Sequence, residues 1–292
     1  MEHKSGFVNI IGNPNVGKST IMNALVGEKI SIITSKSQTT RHRILGIVNG
    51  DDFQIVYSDT PGVIKPNYKL QKTMVSYSEQ ALEDADILLY ITDVYETADK
   101  NEEFLEKVKN SKAPVILVIN KIDLSDQETV LEMQDSWQKI MPNAEIILTS
   151  ALTGFNIEKL LNSILDKLPI APPYYPKDSL TDKTERFFVE EIIREKILLY
   201  YKKEIPYSVQ AIVEEFHEDE KIIRIRAIIY VERESQKPII IGNKGKAIKR
   251  VGIESRQDME KFFGKQVHIE LYVKVSKDWR NNDRQLSSFG YN

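Results

Sequence analysis

The chain has 292 residues, a net charge of −3, 41% hydrophobic residues and no cysteine, so it exceeds one average domain and can bury a core without staples. The missing cysteines exclude disulfides, thiolate zinc sites and thiol nucleophiles, and four scattered histidines offer no metal-binding spacing. No stretch approaches the roughly 20 consecutive apolar residues of a membrane-spanning helix, and "MEHKSGFVNI" has no apolar leader core, so a soluble, cytoplasmic protein is expected.

In chain order, short runs rich in β-branched residues alternate with amphipathic ones. "FVNII", "ILGIVN", "FQIVYSD", "DILLYITD", "PVILVIN" and "EIILTS" read as strands. Residues 19–26, 70–85, 102–110, 129–141 and 157–168 read as the helices between them. The alternation predicts an α/β domain over residues 1–170, a mostly parallel sheet with helices on both faces. "LPIAPPYYPKDSL" then brings four prolines, which disfavour helix and central strand alike, and residues 171–182 are expected to be a Pro-rich linker.

Beyond it, residues 184–201 have helical spacing, and "SVQAIVEEF" and "KIIRIRAIIYVER" read as strands flanking the turn "HEDE". "PIIIGNKGKAIKRVGIESRQDMEKFF" reads as a loop leading into helix, and "VHIELYVKV" as a last strand. An α+β domain over residues 183–278 and a tail over 279–292 are expected. Residues 221–292 hold 16 Lys+Arg against 8 Asp+Glu, a surplus of +8 that leaves −11 on the rest of the chain. A basic segment on an acidic body points to a local polyanion contact, with a merely solvated charged face as the alternative.

The chemistry is concentrated in four motifs. Gly12-Asn13-Pro14-Asn15-Val16-Gly17-Lys18-Ser19, followed by Thr20, matches the phosphate-binding loop pattern between strand and helix. Its glycines turn backbone N–H groups toward phosphate oxygens, Lys18 bridges the β- and γ-phosphates, and Ser19 ligates Mg²⁺. In "SDTPG", Asp59-Thr60-Pro61-Gly62, the carboxylate reaches the Mg²⁺ shell and the Gly62 N–H the γ-phosphate. Asn120-Lys121-Ile122-Asp123 names the base: a carboxylate accepts from N1–H and the 2-amino group of guanine, and adenine offers neither. Lys121 packs its stem on the ring, while Ser150 and the Ala151 N–H of "TSAL" complete the pocket.

Together these motifs resemble the small translation-factor-type GTPases. "GNPNVGKST", "SQTTRHR" and "DTPG" narrow the likeness to their Era branch, bacterial GTPases related to the tRNA-modification GTPase MnmE. The resemblance implies a P-loop GTPase fold, a first switch in "QTTR" and Thr40 as a Mg²⁺ ligand that closes when the γ-phosphate is present. Lys18, Thr40 and Gly62 then carry catalysis by positioning and electrostatics. Val63 follows Gly62 where Ras-like proteins use a water-orienting glutamine, and valine makes no hydrogen bond. Slow intrinsic hydrolysis stimulated by a partner is therefore expected. The resemblance also implies a K⁺ ion held near Asn15, with a loop-geometry role for Asn15 as the alternative.

Gly242-Asn243-Lys244-Gly245 is a G-x-x-G loop followed by a helix bearing Lys246, Lys249 and Arg250. Alone it is a common turn; its element order resembles a type II KH domain, and that domain after an Era-like GTPase domain is the family architecture. Gly242, Asn243, Lys244, Gly245, Lys246 and Lys249 are then the RNA-binding candidates. The implied partners are the 3′ end of 16S ribosomal RNA and the 30S subunit during its assembly, with a monomeric chain. The tail residues Trp279, Arg280, Arg284, Phe289 and Tyr291 have base-stacking chemistry, although an ordinary docked terminus is preferred, and Arg194 and Lys196 are candidates for an RNA-facing surface. The rival reading is a signalling adaptor at the inner face of the cell membrane or in cell-cycle control, its KH-like fold contacting protein or acidic lipid.

Overall fold

The computed structural model describes residues 2–291. Two compact units emerge: residues up to Pro66 with Met74–Asp182, and Asn67–Thr73 with the residues from Lys183 on.

The first unit alternates β1 (Lys4–Gly12), α1 (Lys18–Val26), β2 (Ile44–Asn49), β3 (Phe53–Asp59), α2 (Lys69–Glu83), β4 (Ile87–Asp93), α3 (Glu102–Lys109), β5 (Val115–Asn120), α4 (Gln127–Ile140), β6 (Glu145–Leu148) and α5 (Ile157–Lys167), the first turn of α2 counting with the second unit. Its six strands lie in the order β2-β3-β1-β4-β5-β6, and only the β2–β3 pair is antiparallel. β1, β4 and β5 are nearly continuous apolar runs because helices cover both faces of the sheet. β1 sits between β3 and β4, so the connections leaving β1 and β4 run to opposite sides and open a crevice beyond the carboxyl end of β1. The loop Asn13–Gly17 occupies that position.

The segment expected as a linker is strapped to this unit. Ile47 N–H donates to Leu180 O at 2.8 Å, Thr181 Oγ1 to Leu45 O at 2.6 Å, and Tyr174 and Tyr175 N–H to Gln54 Oε1 at 2.7 and 2.9 Å. Prolines deny the segment a full ladder, yet these few bonds cover the edge strand β2.

The second unit contains α6 (Glu185–Tyr200), β7 (Gln210–Glu218), β8 (Ile222–Val231), α7 (Lys237–Ile241), α8 (Lys246–Phe263), β9 (Gln266–Val275) and α9 (Asp283–Ser288). β8 pairs antiparallel with β7 and parallel with β9. The helices pack on one face around Val189, Ile193, Ile197, Ile223, Ile229 and Met259, and Thr184 caps α6 by accepting from Phe187 N–H. His217 and Glu218 belong to β7, so the turn read in "HEDE" is shorter, closed by Asp219 N–H to Ile222 O at 2.9 Å. The run before the G-x-x-G loop is the short helix α7, started by Pro238, rather than loop.

The tail is docked, as preferred, and one further expectation changes. Trp279 is fully buried and donates Nε1–H to Ser208 O, Tyr291 donates to Gln210 Oε1, and Phe289 is buried beside them, so these aromatics belong to the core and have no face left for bases. Arg194 and Lys196 are also buried, paired with Glu191 and with Asp258 and Glu195, and present no RNA-facing surface. α6 supplies acidic partners at short spacing, and Asp258 reaches Lys196 from α8. Among the described residues no helix is long and apolar enough to cross a membrane, and no cluster of three or more His, Cys, Asp or Glu is placed to hold a metal.

Candidate nucleotide site and nucleic-acid groove

The phosphate loop forms one wall of a cavity of about 390 Å³ lined by Pro14, Asn15, Gly17–Thr20, residues 32–36, Gln38–Thr40, Gly62 and Lys121. Gly17 has φ +96°, and a Cβ there would lie 2.2 Å from Asn120 Nδ2, so both backbone and space require glycine. No side chain caps α1, which leaves its first-turn N–H groups to an anion. Lys18 is buried and donates to Gly12 O at 3.1 Å and Asn13 O at 2.8 Å. Burial pushes its ammonium down to about 8, while Asp59 and Glu96 pull it back up.

Beside it, three oxygen-bearing side chains converge. Ser19 Oγ donates to Asp59 Oδ2 at 2.6 Å, Thr40 Oγ1 lies 2.9 Å from Ser19 Oγ, and Thr40 Oγ1 donates to Asp59 Oδ2 at 3.3 Å. Asp59 Oδ1 is buried with no hydrogen-bond partner. Burial raises the Asp59 pKa, partly offset by the Ser19 hydrogen bond and the Lys18 charge. One under-satisfied carboxylate between two hydroxyls fits a hard, oxygen-preferring cation such as Mg²⁺. Gly62 lies against the loop, where a Cβ would meet Pro14 Cα at 2.7 Å. Thr60 and Pro61 have backing roles instead: Thr60 Oγ1 donates to Ile10 O, and Pro61 O accepts from Ser78 Oγ.

At the base end, Asn120 Nδ2 donates to Val16 O, and Lys121 Nζ donates to Asn15 O and Asp93 Oδ2 at 2.5 and 2.7 Å. Asp123 is exposed on the single turn after β5. Ala151 N–H, expected to face the base, donates to Asn120 Oδ1 at 3.0 Å, and Ser150 Oγ accepts from Thr153 N–H at 3.3 Å. Ala151 thus braces the end of β5 at Asn120, while Ser150 closes its own turn.

Sequence reasoning missed the roof over the cavity, residues 32–36, because that stretch has no periodicity and meets the loop only through the fold. It also missed Arg43, which ties the end of the first switch to Ser58 Oγ, Asn9 Oδ1 and both Asp84 oxygens. The Thr-x-x-Arg spacing in "TTRHR" was the available signal.

In the second unit, the G-x-x-G loop joins α7 to α8 with φ +71° at Gly242, where a Cβ would lie 2.5 Å from that of Ala247. Asn243, Lys244, Lys246 and Lys249 are exposed. Beside them runs a groove of about 350 Å³, walled by Ile248, Lys249, Gly252, Ile253 and Arg256 of α8 and by His268, Ile269 and Leu271 of β9. Of these the sequence offered only Lys249; the β9 wall is visible only once β9 is known to be the edge strand. Arg250 points elsewhere, stacked 3.9 Å from the Tyr200 ring centroid and paired with Glu254.

Comparison with known proteins matches both units. Residues 7–121 fit a family described as a 50S ribosome-binding GTPase, and residues 204–280 fit the KH domain family. The chain is 47% identical over 292 residues to GTPase Era of Syntrophus aciditrophicus (strain SB), covering 99% of this chain and 95% of that one. It is 45% identical to GTPase Era of Alkaliphilus metalliredigens (strain QYMF), with 100% of each covered. It is similar to the crystal structure of Era in complex with MgGDPNP and nucleotides 1506–1542 of 16S ribosomal RNA, with a TM-score of 0.95 and 40% identity over 99% of both chains. A variant of Aquifex aeolicus Era bound to GDP·AlF₄⁻ matches at a TM-score of 0.94, again with 40% identity and 99% of both covered.

Proposed function

The chain belongs to the Era family of GTPases, and on that premise we propose that it binds and hydrolyses GTP as a switch, holds the 3′ end of 16S ribosomal RNA through its KH unit and assists assembly of the 30S subunit in the cytoplasm. The observation that carries this reading is the presence in one chain of a cavity walled by the phosphate loop, with Asp123 beyond it, and of a basic G-x-x-G loop beside a groove of mixed basic and apolar lining.

The reaction is attack of water on the γ-phosphorus of GTP, with GDP as leaving group. Lys18 stays on the phosphates because two backbone carbonyls aim it and the wall of the loop excludes water from it. Ser19, Thr40 and Asp59 hold Mg²⁺, which neutralises charge on the β- and γ-phosphates when bound. Thr40 links that chemistry to the first switch. Val63 is buried and apolar, so it orients no water; Asn15 would hold a K⁺ ion supplying charge in place of an arginine finger, and the RNA-bearing partner stimulates the slow intrinsic reaction.

The strap over β2 supports the coupling. The first switch runs directly into β2, and β2 is bonded to Leu180–Thr181, immediately before the α6 cap at Thr184. A change at Thr40 thus acts on the segment that leads into the KH unit, and RNA must reciprocally alter the preference for GTP over GDP.

The test is GTP turnover with and without an RNA fragment from the 16S 3′ end, in potassium and then in sodium. Stimulation by the fragment is expected, and faster turnover in potassium assigns the cation its role. Turnover indifferent to RNA, with no RNA recovered on the protein after crosslinking in cells, would favour the adaptor reading.

A further inference from the structure

Glu96 is a buried carboxylate that none of the nucleotide motifs includes. It lies on the turn after β4, 6% exposed, and its Oε2 accepts from Asn13 Nδ2 at 2.9 Å while Oε1 pairs with Lys100. On the other side of the same amide, Asn101 Nδ2 donates to Asn13 Oδ1 at 3.2 Å. The Asn13 side chain is therefore gripped at both ends, and its backbone carbonyl is one of the two that aim Lys18.

The turn that carries Glu96 is itself fixed. Tyr95 N–H donates to Asp93 Oδ1 and Glu96 N–H to Asp93 O, and the other Asp93 oxygen takes Lys121. Glu96 thus presents its carboxylate from a turn anchored on the end of a central strand.

The grip acts on one half of the phosphate loop. Gly12–Pro14 is the stretch against Gly62 and Val63: Val63 N–H donates to Gly12 O at 3.2 Å, and Gly62 packs on Pro14. The amides after Asn15 lead instead into α1. A γ-phosphate depends on the Gly12–Pro14 wall and on Lys18; a diphosphate is held chiefly by the later amides.

We propose that Glu96 is a positioning residue for the terminal phosphate, acting through Asn13 so that the loop discriminates GTP from GDP. The proposal rests on the nucleotide site as read above. Its weight comes from preorganisation: a charge-assisted, buried hydrogen bond fixes the carbonyl that would otherwise have to be ordered when the triphosphate arrives.

The experiment is calorimetric titration of Mg·GDPNP and of Mg·GDP into the full chain and its Glu96→Ala, Glu96→Gln and Asn101→Ala variants. Glu96→Ala is expected to weaken GDPNP about tenfold while GDP stays within about twofold, the retained GDP site also reporting an intact fold. Glu96→Gln keeps an oxygen for Asn13 and is expected to recover most of the loss; Asn101→Ala is expected to show a smaller change of the same kind. Equal losses for both nucleotides, no change in either, or a Gln variant no better than Ala would overturn the proposal. If the unsubstituted protein bound neither nucleotide, the site reading would fall together with it, whereas retained binding at an unchanged GDPNP-to-GDP ratio sinks this proposal alone.

Discussion

Asn120 holds Val16: its Nδ2 donates to the Val16 carbonyl at 2.9 Å, tying the end of β5 to the phosphate-binding-loop motif. Asp123 stands just outside this bracing, exposed on its turn. Asp123→Ala is therefore expected to leave the melting temperature unchanged and to weaken GDP and GTP by roughly 10² or more, with the preference over ATP reduced in proportion. Calorimetry with GDP, GTP and ATP checks it.

Lys18 gives the site a pH limit. With its pKa lowered to about 8 by burial, the free protein loses this proton on the alkaline side, while bound phosphates keep the group charged. Nucleotide affinity is then full below that value and falls as pH rises through it, by about tenfold between pH 7 and pH 9. Lys18→Met is expected to bind weakly and without this pH dependence, as measured by fluorescent-nucleotide titration.

Glu190 gives the second unit a limit in the same direction, on stability rather than on affinity. Its Oε1 accepts from Val213 N–H at 2.8 Å beside the irregularity in β7, and burial raises its pKa to about 7, with Glu191 raising it further and the Val213 N–H and Arg186 lowering it. A raised folded value means that the contribution is fully present below the unfolded carboxylate pKa and is lost as pH rises through about 7. Glu190→Gln, which keeps the acceptor and cannot ionise, is expected to be more stable than the parent by about 1–3 kcal/mol at pH 8 and to converge on it below about pH 4. Urea unfolding followed through Trp279 in a Trp137→Phe background reads this unit.

The RNA groove separates charge from shape. Lys244→Ala and Lys246→Ala are each expected to reduce the slope of log affinity against log salt by about 1, with little change in base preference. Ile253→Asp, at a half-exposed position on the groove wall, is expected to abolish RNA binding at all salt concentrations while leaving the fold intact. Filter binding across a salt series distinguishes the two.

Most of the first unit was legible because parallel strands write themselves as apolar runs and because phosphate chemistry forces Gly17, Lys18 and Ser19 into one short motif. Asp59 was legible for the same reason, and the structure sets it beside Ser19 and Thr40. What stayed hidden was held by tertiary geometry. Glu96 meets Asn13 across 83 positions of sequence, the β2 strap is a set of backbone bonds without a sequence pattern, and His268 and Leu271 acquire their neighbours only when β9 lands on the sheet edge. Arg194 and Lys196 misled because charge on a helix reads as solvent-facing, while burial is decided by what packs on it.

If the terminal phosphate of GTP governs the grip on RNA, the difference appears on titration of a 16S 3′-end oligonucleotide into protein saturated with Mg·GDPNP and, separately, with Mg·GDP. The two RNA dissociation constants are predicted to differ by at least about fivefold, mirrored by the same factor in nucleotide affinity when RNA is bound; equal constants in the two nucleotide states would contradict it.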